Sequence, residues 1–271
     1  MVAGAMCSLA GIAAAQSARG VVLRLRPHVG DTLLTRLEQT TVVSAEFSGV
    51  SAKPGGKMTT KVMVAARTIV QASGANTTTV LTIVDSADVS TSDAHGAAMS
   101  AQAERALRGE QLVLQLAEDG AVESAHDVHG NAMPHDVADV MSAMPAVLPH
   151  HAVNVGDRWE RELPLPASGP AGARGSAHVR AEFRLDSLAR NGELAFVSMR
   201  GEIVPDGASQ GVELTGTVAG AMRVDRARGW MTDSRFSVIL RSLVTWPAGS
   251  GVAPARFVTT VTQRLRTMDK W

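Results

Sequence analysis

Residues 148–159 read LPHHAVNVGDRW and lie just past the middle of a 271-residue chain. The Val-Gly-Asp at the core of this stretch also occurs at residues 29–31, and a strand-like run follows it in both places. Glycine reaches positive φ without a Cβ clash, and Asp can bond its own backbone two residues on, so each Gly-Asp pair predicts a turn that starts a strand. Asp31 and Asp157 could instead be ligand carboxylates, but the turn role is the simpler interpretation because Asp is among the commonest turn formers.

Alternation of apolar and polar residues continues on both sides of this stretch. In residues 178–186, the cleanest case, every second residue is apolar and the residues between are polar. This period of two is typical of an antiparallel sheet with one solvated face. Gly216 and Gly220 fall on the inward side of one long strand, where they indicate a bend or a close approach by another element.

The order of turns and strands is loosely the same before and after the central stretch. Each part has a Gly-Asp turn, successive alternating strands and a hairpin, near Gly120 or Gly229. The sequence therefore predicts a mainly β fold with one or two helices, built from two similar antiparallel curved-sheet halves. A half-open barrel is favoured over a flat sandwich, and a closed barrel stays open as an alternative. The predicted divisions are a signal peptide at 1–15, an N-terminal β repeat at 16–130, a linking helix within 131–150 and a C-terminal β repeat at 151–271.

The clearest helix signal lies between the two repeats, at about residues 134–144. Pro134 suits a first helical turn, and Pro145 should end the helix. A helix packed on the sheet is the favoured interpretation, and a mobile, Met-lined lid over an apolar ligand is the alternative. A second segment, residues 92–109, breaks the alternation and predicts a short helix or an ordered loop. The apolar stripe of the first helix falls at i, i+3, i+4 and i+7, on Val137, Val140, Met141 and Met144.

The first fifteen residues predict an export signal. Residues 2–15 are mostly small and apolar, and the alanines at 13–15 fit the small-x-small cleavage rule. This run is too short and too Ala-rich to span a bilayer, so we predict no transmembrane span. Cys7 is the only cysteine and lies inside the signal. Disulfides and cysteine-based zinc sites are therefore excluded for the mature chain, which we expect to be periplasmic or extracellular.

The overall composition excludes several classes of partner. The formal net charge is zero and no basic stripe stands out, which argues against nucleic acid. Tyr is absent, and the aromatic residues are four Trp and five Phe, so the chain has few stacking platforms for single-stranded nucleic acid. With 45% hydrophobic residues, the chain can bury a substantial core.

Catalytic and metal-binding signals are weak. Glu160 and Glu162 share a strand face, but arginines flank them, and no Gly-rich phosphate loop precedes a helix. We therefore predict that the protein is not an enzyme and uses no cofactor. Five histidines around the linking helix are ligands of the right kind for zinc or copper, but their spacing matches no compact motif, so metal binding is only an alternative. They are His126, His129, His135, His150 and His151.

The central stretch also carries a family resemblance. Residues 148–159, followed by a long strand pair through Val224-Asp225 and Gly229-Trp230, resemble an uncharacterised family of exported bacterial β-rich proteins with signal peptides or lipid anchors. The resemblance covers roughly the mature chain and is densest over residues 145–245. It implies an envelope location and a β-rich fold, and it supplies no catalytic residues. A weaker resemblance, in pattern alone, is to periplasmic lipoprotein-carrier folds, where a curved sheet wraps a helix around lipid.

The leading functional hypothesis is a non-enzymatic binding module of the cell envelope for a lipid-like or other hydrophobic ligand. A long curved sheet with a Met-bearing helix motivates it, because flexible Met side chains suit irregular apolar partners. A structural or protein-interaction module, which pairs an exposed strand edge with an envelope protein, is the second hypothesis, and metal binding is the third. The candidate ligand-binding residues are Val137, Val140, Met141, Met144, Val218, Met222 and Phe236.

Overall fold

Strands form where the sequence alternates. The computed structural model describes residues 20–47, 56–93, 96–131, 147–165, 177–205, 212–245 and 254–268. Within these ranges one α-helix interrupts the strands, in the segment that predicts a helix or an ordered loop. The elements are β1 (Thr32–Phe47), β2 (Lys57–Ser73), β3 (Thr77–Thr91), α1 (Ala97–Leu107), β4 (Gln111–Ala117), β5 (Val122–Asp127), β6 (Arg158–Leu165), β7 (Ala177–Ala189), β8 (Leu194–Pro205), β9 (Val212–Asp225), β10 (Trp230–Val244) and β11 (Ala255–Met268).

The strands form one open antiparallel sheet in the order β5-β4-β3-β2-β1-β11-β10-β9-β8-β7-β6. Strands β1 to β5 run outward from the middle of the sheet, and β6 to β11 run inward from the opposite edge. The first and last strands pair from Leu34 opposite Met268 to Phe47 opposite Ala255, and this pairing joins the two meanders. The predicted mainly β, antiparallel fold is therefore confirmed as a single sheet, whereas the division into two repeats stays a prediction.

This topology places equivalent ends of the strands together. Because neighbouring strands are antiparallel, the starts of β1 and β6 and the turns β2–β3, β4–β5, β7–β8 and β9–β10 all lie at one end of the sheet, which we call the base. The opposite end, which we call the rim, holds the other ends of the strands. The hairpin predicted at Asp119-Gly120 is confirmed as the β4–β5 turn, with Gly120 at φ 97°.

The sheet curls so that its two edges approach each other at the base. The Leu148 N–H donates to Asp119 O in the β4–β5 turn (3.0 Å), and Leu148 O accepts a hydrogen bond from Arg161 Nη2 of β6 (2.6 Å). β4 and β6 are nine strand spacings apart, which would be about 43 Å in a flat sheet with roughly 4.8 Å between strands. One residue cannot bridge that distance, so the sheet must be strongly curved. We call residues 147–153 the clasp.

A second segment, residues 20–27, crosses the base inside the curled sheet. Its backbone bonds to the clasp through Val21, to the β4–β5 turn through Leu25 and to the β9–β10 turn through Arg26. The Leu23 side chain is 1% exposed and belongs to the core. This segment closes the base, since it contacts elements from both meanders.

The core lies on the concave side of the sheet. On β7 the inward residues Val179, Phe183 and Leu185 are 5%, 0% and 0% exposed. The Phe183 ring stacks on Trp159 of β6, with centroids 5.7 Å apart. The neighbouring residues on β7 point outward and are largely polar, as the alternation predicts. A smaller core cluster in the other meander consists of Val70, Val80, Leu114 and Leu116.

The two Gly-Asp turns have the same geometry. The Asp31 carboxylate accepts the His28 backbone N–H (3.1 Å), and the Asp157 carboxylate accepts the Asn154 backbone N–H (2.7 Å). In each turn the glycine has positive φ, 90° or 96°, and donates its N–H to a carbonyl at the base end of β2 or β7. The turn role predicted for both Asp residues is therefore confirmed.

Helix α1 covers an otherwise unpaired edge. β4 pairs with β3 only along Thr77–Ile83, which leaves the rim half of β3 without a strand neighbour on that side. Glu104 of α1 accepts the Val89 backbone N–H on Oε1 (2.9 Å), and the residues after the helix hydrogen-bond to Val84. Such covering protects a strand edge from pairing with other chains.

Several predicted features lie outside the described residues. These are the signal peptide at 1–15 and the linking helix at about 134–144, together with His135. Among the helices of the described ranges, none is long and apolar enough to cross a membrane.

Candidate functional site

A cross-strand row of residues runs over the middle of the concave face. The register places Gly220, Phe236, Gln263, Gln39 and Val62 side by side on β9, β10, β11, β1 and β2. These residues are among those that line a cavity of about 660 Å³, which we call the trough; their chain neighbours, including Glu38, Lys61, Arg235 and Arg264, line it as well. Binding sites for small molecules usually measure roughly 300–1,000 Å³, so the trough has the volume of a ligand site.

The floor of the trough depends on a glycine. A Cβ at Gly220 would lie 2.9 Å from Cε1 of the Phe236 ring and 2.6 Å from Arg235 O, so the ring rests directly on the glycine. At Gly216 a Cβ would lie 2.8 Å from Ile203 Cδ1. The sequence interpretation of both glycines as points of close approach is confirmed. Any side chain at position 220 would push the Phe236 ring toward the cavity.

Three of the predicted ligand-binding residues lie on the concave face. Phe236 lines the trough directly. Val218 and Met222, two residues before and after Gly220 on β9, are 7% and 3% exposed and belong to the core beside the floor. The structure therefore brings these three together. The other four, Val137, Val140, Met141 and Met144, lie outside the described residues.

The five strands that form the trough direct no charged side chain inward. Their inward positions hold apolar residues, Gly, Ser, Thr and two Gln, as the register shows. Charged residues occupy the outer face, where Arg264 Nη2 lies 3.2 Å from Asp233 Oδ2 and Arg266 Nη2 lies 3.2 Å from Glu38 Oε1. The lining of the trough nevertheless includes charged residues of both signs from the alternate positions of these strands, namely Glu38, Lys61, Arg235 and Arg264.

The histidines are not assembled into one site. His126 and His129 lie at the end of β5 that is farther from the base, whereas His150 and His151 lie in the clasp. His150 Nε2 faces Asp119 Oδ2 of the β4–β5 turn at 3.6 Å. Over the described ranges, no group of three or more His, Cys, Asp or Glu is positioned to hold a metal ion.

Two carboxyl groups have perturbed pKa values, and neither lies in the trough. A hydrogen bond from the Arg200 side chain, supported by Arg158, lowers the pKa of Glu182 on the outer face of β7. Hydrogen bonds from the side chain and backbone of Asn131 lower the pKa of Asp127. Both carboxylates make structural hydrogen bonds, so neither marks an acid–base centre at the candidate site.

One short stretch of the sequence matches the spacing of a catalytic motif. Residues 207–211 read GASQG, which fits the Gly-x-Ser-x-Gly spacing of a nucleophile elbow. These residues lie outside the described ranges, but they connect β8 to β9, which are antiparallel neighbours. The motif therefore joins two strands, whereas an elbow joins a strand to a helix.

Comparisons with known proteins give no family. No protein-family model matches the chain, and no curated protein does. A lipovitellin structure described for its lipid–protein interactions is 10% identical with a TM-score of 0.48; the match covers 89% of this chain and 25% of that one, so this chain spans about a quarter of its length. DynF from the dynemicin biosynthesis pathway of Micromonospora chersina is 10% identical, with a TM-score of 0.24 and coverage of 93% and 88%. OpdQ from Pseudomonas aeruginosa is 5% identical, with a TM-score of 0.25 and coverage of 89% and 100%.

Sequence identities and TM-scores of this size support no inference about the function of this chain. The family resemblance suggested by residues 148–159 likewise stays a prediction.

Sequence reasoning missed most of the residues that line the trough, and those on the inward face include Gln39, Gln263 and Val62. The parity of each strand could have placed them on the inward face. Their alignment in one row depends on the pairing of β1 with β11, which joins residues more than two hundred positions apart. No local sequence pattern predicts which residues of β1 and β11 pair.

Proposed function

We propose that this protein is an exported cell-envelope module that binds a lipid-like or other hydrophobic ligand in the trough, without catalysis. The observation that supports the proposal is a difference in side-chain burial along the concave face. Inward residues of β7 and β8 are almost fully buried, whereas those lining the trough on β1, β2 and β11 are only partly buried. An apolar concave surface that the described protein does not fill is the usual form of a small-molecule site.

The absence of catalysis is part of the same proposal. The charged residues that line the trough are Glu38, Lys61, Arg235 and Arg264, of which Glu38 pairs with Arg36 and Arg266 and Arg264 pairs with Asp233. The two carboxylates with perturbed pKa values lie on the outer face and at the end of β5. Binding an apolar ligand needs none of these, since burial of apolar area supplies roughly 25 cal/mol per Å².

The test is direct binding to the purified full chain. Organic extraction followed by mass spectrometry should recover a bound lipid-like molecule, and Nile red should fluoresce on binding and be displaced by it. Val62→Trp, which fills the trough, should abolish both signals. Met63→Trp is the matched control, because Met63 is the next residue on β2, 39% exposed on the opposite face. Equal binding by both variants, or no binding by the wild type, would refute the proposal.

Strand addition is the second candidate function, since β5 and β6 are the edges of the described sheet. A partner strand could pair with the outer side of β6, as in other edge-recognition complexes. Crosslinking that reports contacts along β6, with an empty trough, would favour this function over ligand binding.

A further inference from the structure

A second cavity, of about 810 Å³, lies on the outer face of the sheet, where β11, β1, β2 and β3 run side by side. We call it the outer groove, and its lining shares no residue with that of the trough. Its volume is within the range of roughly 300–1,000 Å³ that is usual for small-molecule sites. The apolar residues of its lining are Leu34, Met63, Ala65 and Met268. An apolar patch is therefore present on a face that elsewhere is largely polar.

A β-bulge brings an ion pair to the groove. The register of β2 with β3 shifts between Ala65 and Ala66, so Asp85 and Ser86, although consecutive, both line the groove. The Arg67 guanidinium donates from Nε to both carboxylate oxygens of Asp85, at 2.9 and 3.0 Å, and its Nη2 lies 2.9 Å from Oδ1. The charges of these two lining residues are therefore matched by each other.

Arg36 is the other charged residue of the lining, and its guanidinium is poorly satisfied. Nη2 donates to Met63 Sδ at 2.7 Å, and a thioether is a weak acceptor. Nε lies 3.0 Å from Glu38 Oε1, yet it is buried and makes no hydrogen bond. The same carboxylate oxygen accepts a hydrogen bond from Arg266 Nη2 at 3.2 Å. Because the Arg36 side chain is 39% exposed and a guanidinium has five N–H donors, it can also bind a molecule in the groove.

The ion pairs around the groove leave one positive charge unmatched. Arg36 and Arg266 share the single carboxylate of Glu38, whereas the Arg67–Asp85 pair is neutral by itself. These contacts therefore contain three guanidinium groups and two carboxylates. A carboxylate brought to Arg36 would supply the missing charge, and it can accept two parallel hydrogen bonds from one guanidinium.

We propose that the outer groove binds an anionic amphiphile, an apolar chain that ends in one carboxylate. The carboxylate pairs with Arg36, and the chain covers Leu34, Ala65 and the two methionines. Both methionines suit this role, since their flexible side chains adapt to irregular apolar partners. The inference does not depend on the proposed function, because the trough and the outer groove have separate linings.

The experiment follows the methyl signals of Met63 and Met268 by NMR in the full chain labelled with 13C-methyl methionine, so that binding in the trough does not obscure the result. Decanoate, decan-1-ol and acetate are the probes. Decanoate should shift both signals at about tenfold lower concentration than decan-1-ol, as a hydrogen bond to a charged group would give. Acetate lacks the apolar chain and should need at least about a hundredfold more than decanoate.

Arg36→Gln should remove the preference for decanoate over the alcohol. Arg184→Gln is the matched control and should keep it, because Arg184 also lies on the outer face and its Nε faces the carboxylate two residues along its strand, that of Asp186, at 3.8 Å. The inference is overturned if decanoate leaves both methionine signals unmoved or if decanoate and decan-1-ol act at equal concentrations. A preference for decanoate that persists in Arg36→Gln would also overturn it. Nile red binding and its loss in Val62→Trp report on the trough separately, so either proposal can fail while the other stands.

Discussion

The strongest test of the curled sheet is Leu148→Ala. Leu148 is 0% exposed and packs in the core with the base segment, while its backbone bonds to Asp119 O on one edge and to Arg161 on the other. The substitution keeps both backbone bonds and removes only buried side-chain volume. Leu-to-Ala changes at fully buried sites cost about 2–5 kcal/mol, so we expect about 3 kcal/mol here. For a chain of this size that corresponds to a fall in melting temperature of roughly 6–12 °C.

Urea unfolding gives the free energy, and hydrogen exchange shows where the loss occurs. Because the clasp joins the two edges, exchange should accelerate most at the β4–β5 turn and along β6, and least at the central β1–β11 pair. Val155→Ala is the matched control: Val155 lies just beyond the clasp and is 54% exposed, so its loss should cost less than about 0.5 kcal/mol. A Leu148→Ala cost below about 1 kcal/mol, or uniform acceleration of exchange, would refute the idea that the clasp holds the edges together.

The remaining predictions concern the floor, the turns and pH. Gly220→Ala should destabilise by about 1–3 kcal/mol in urea unfolding and weaken Nile red binding, since the Cβ would meet Arg235 O and the Phe236 ring, whereas Gly56→Ala, with open space around it, should change neither. Asp31→Ala and Asp157→Ala should each cost about 1–2 kcal/mol, and Asp157→Ala should cost at least as much, because its carboxylate accepts the Asn154 side-chain amide as well as the equivalent backbone N–H; a clearly smaller cost for Asp157→Ala would argue against equivalent turns. The pKa of Glu182 is lowered by the Arg200 hydrogen bond, so its stabilisation is complete above the ordinary glutamate pKa of about 4.3 and is lost as pH falls through the lowered value. The wild type should therefore lose more stability than Glu182→Gln between about pH 5 and pH 3, and parallel pH profiles would contradict this.

The sequence predicts the features that depend only on residues close together in the chain. Alternation located the strands, Asp119-Gly120 located a hairpin, and the two Gly-Asp pairs located the turns that start β1 and β6. Each of these follows from backbone preferences over a few residues. The helix at 97–107 was weakly indicated, because its helix formers carry no apolar stripe and it has no buried residue.

The assembly of the sheet was not predictable in the same way. Residues 148–159 look like a divider between two halves, yet Leu148 lies in the clasp that holds both edges of one sheet, and Trp159 of β6 donates to Val147 O in that clasp. The deciding contact, β1 with β11, joins the two ends of the described chain, and the sequence contains no period that long. For the same reason the sequence could place Phe236 on the inward face but could not place Gln39 beside Gln263.

The position of the trough follows from how the two meanders meet. A single curved sheet can pack its concave face fully only where other elements lie on it, and the described base segment and clasp pack against the base ends of β6 to β9. The strands at the join, β1 and β11, receive little such cover from the described residues, and most of their inward side chains stay partly exposed, whereas Leu33 and Ala255 at the starts of the two strands are buried. A wall of Leu, Val and Phe left in that state loses the free energy that burial would give. An occupant that covers the wall recovers it, and because it would touch both meanders, it would also strengthen the pairing of β1 with β11 that unites them.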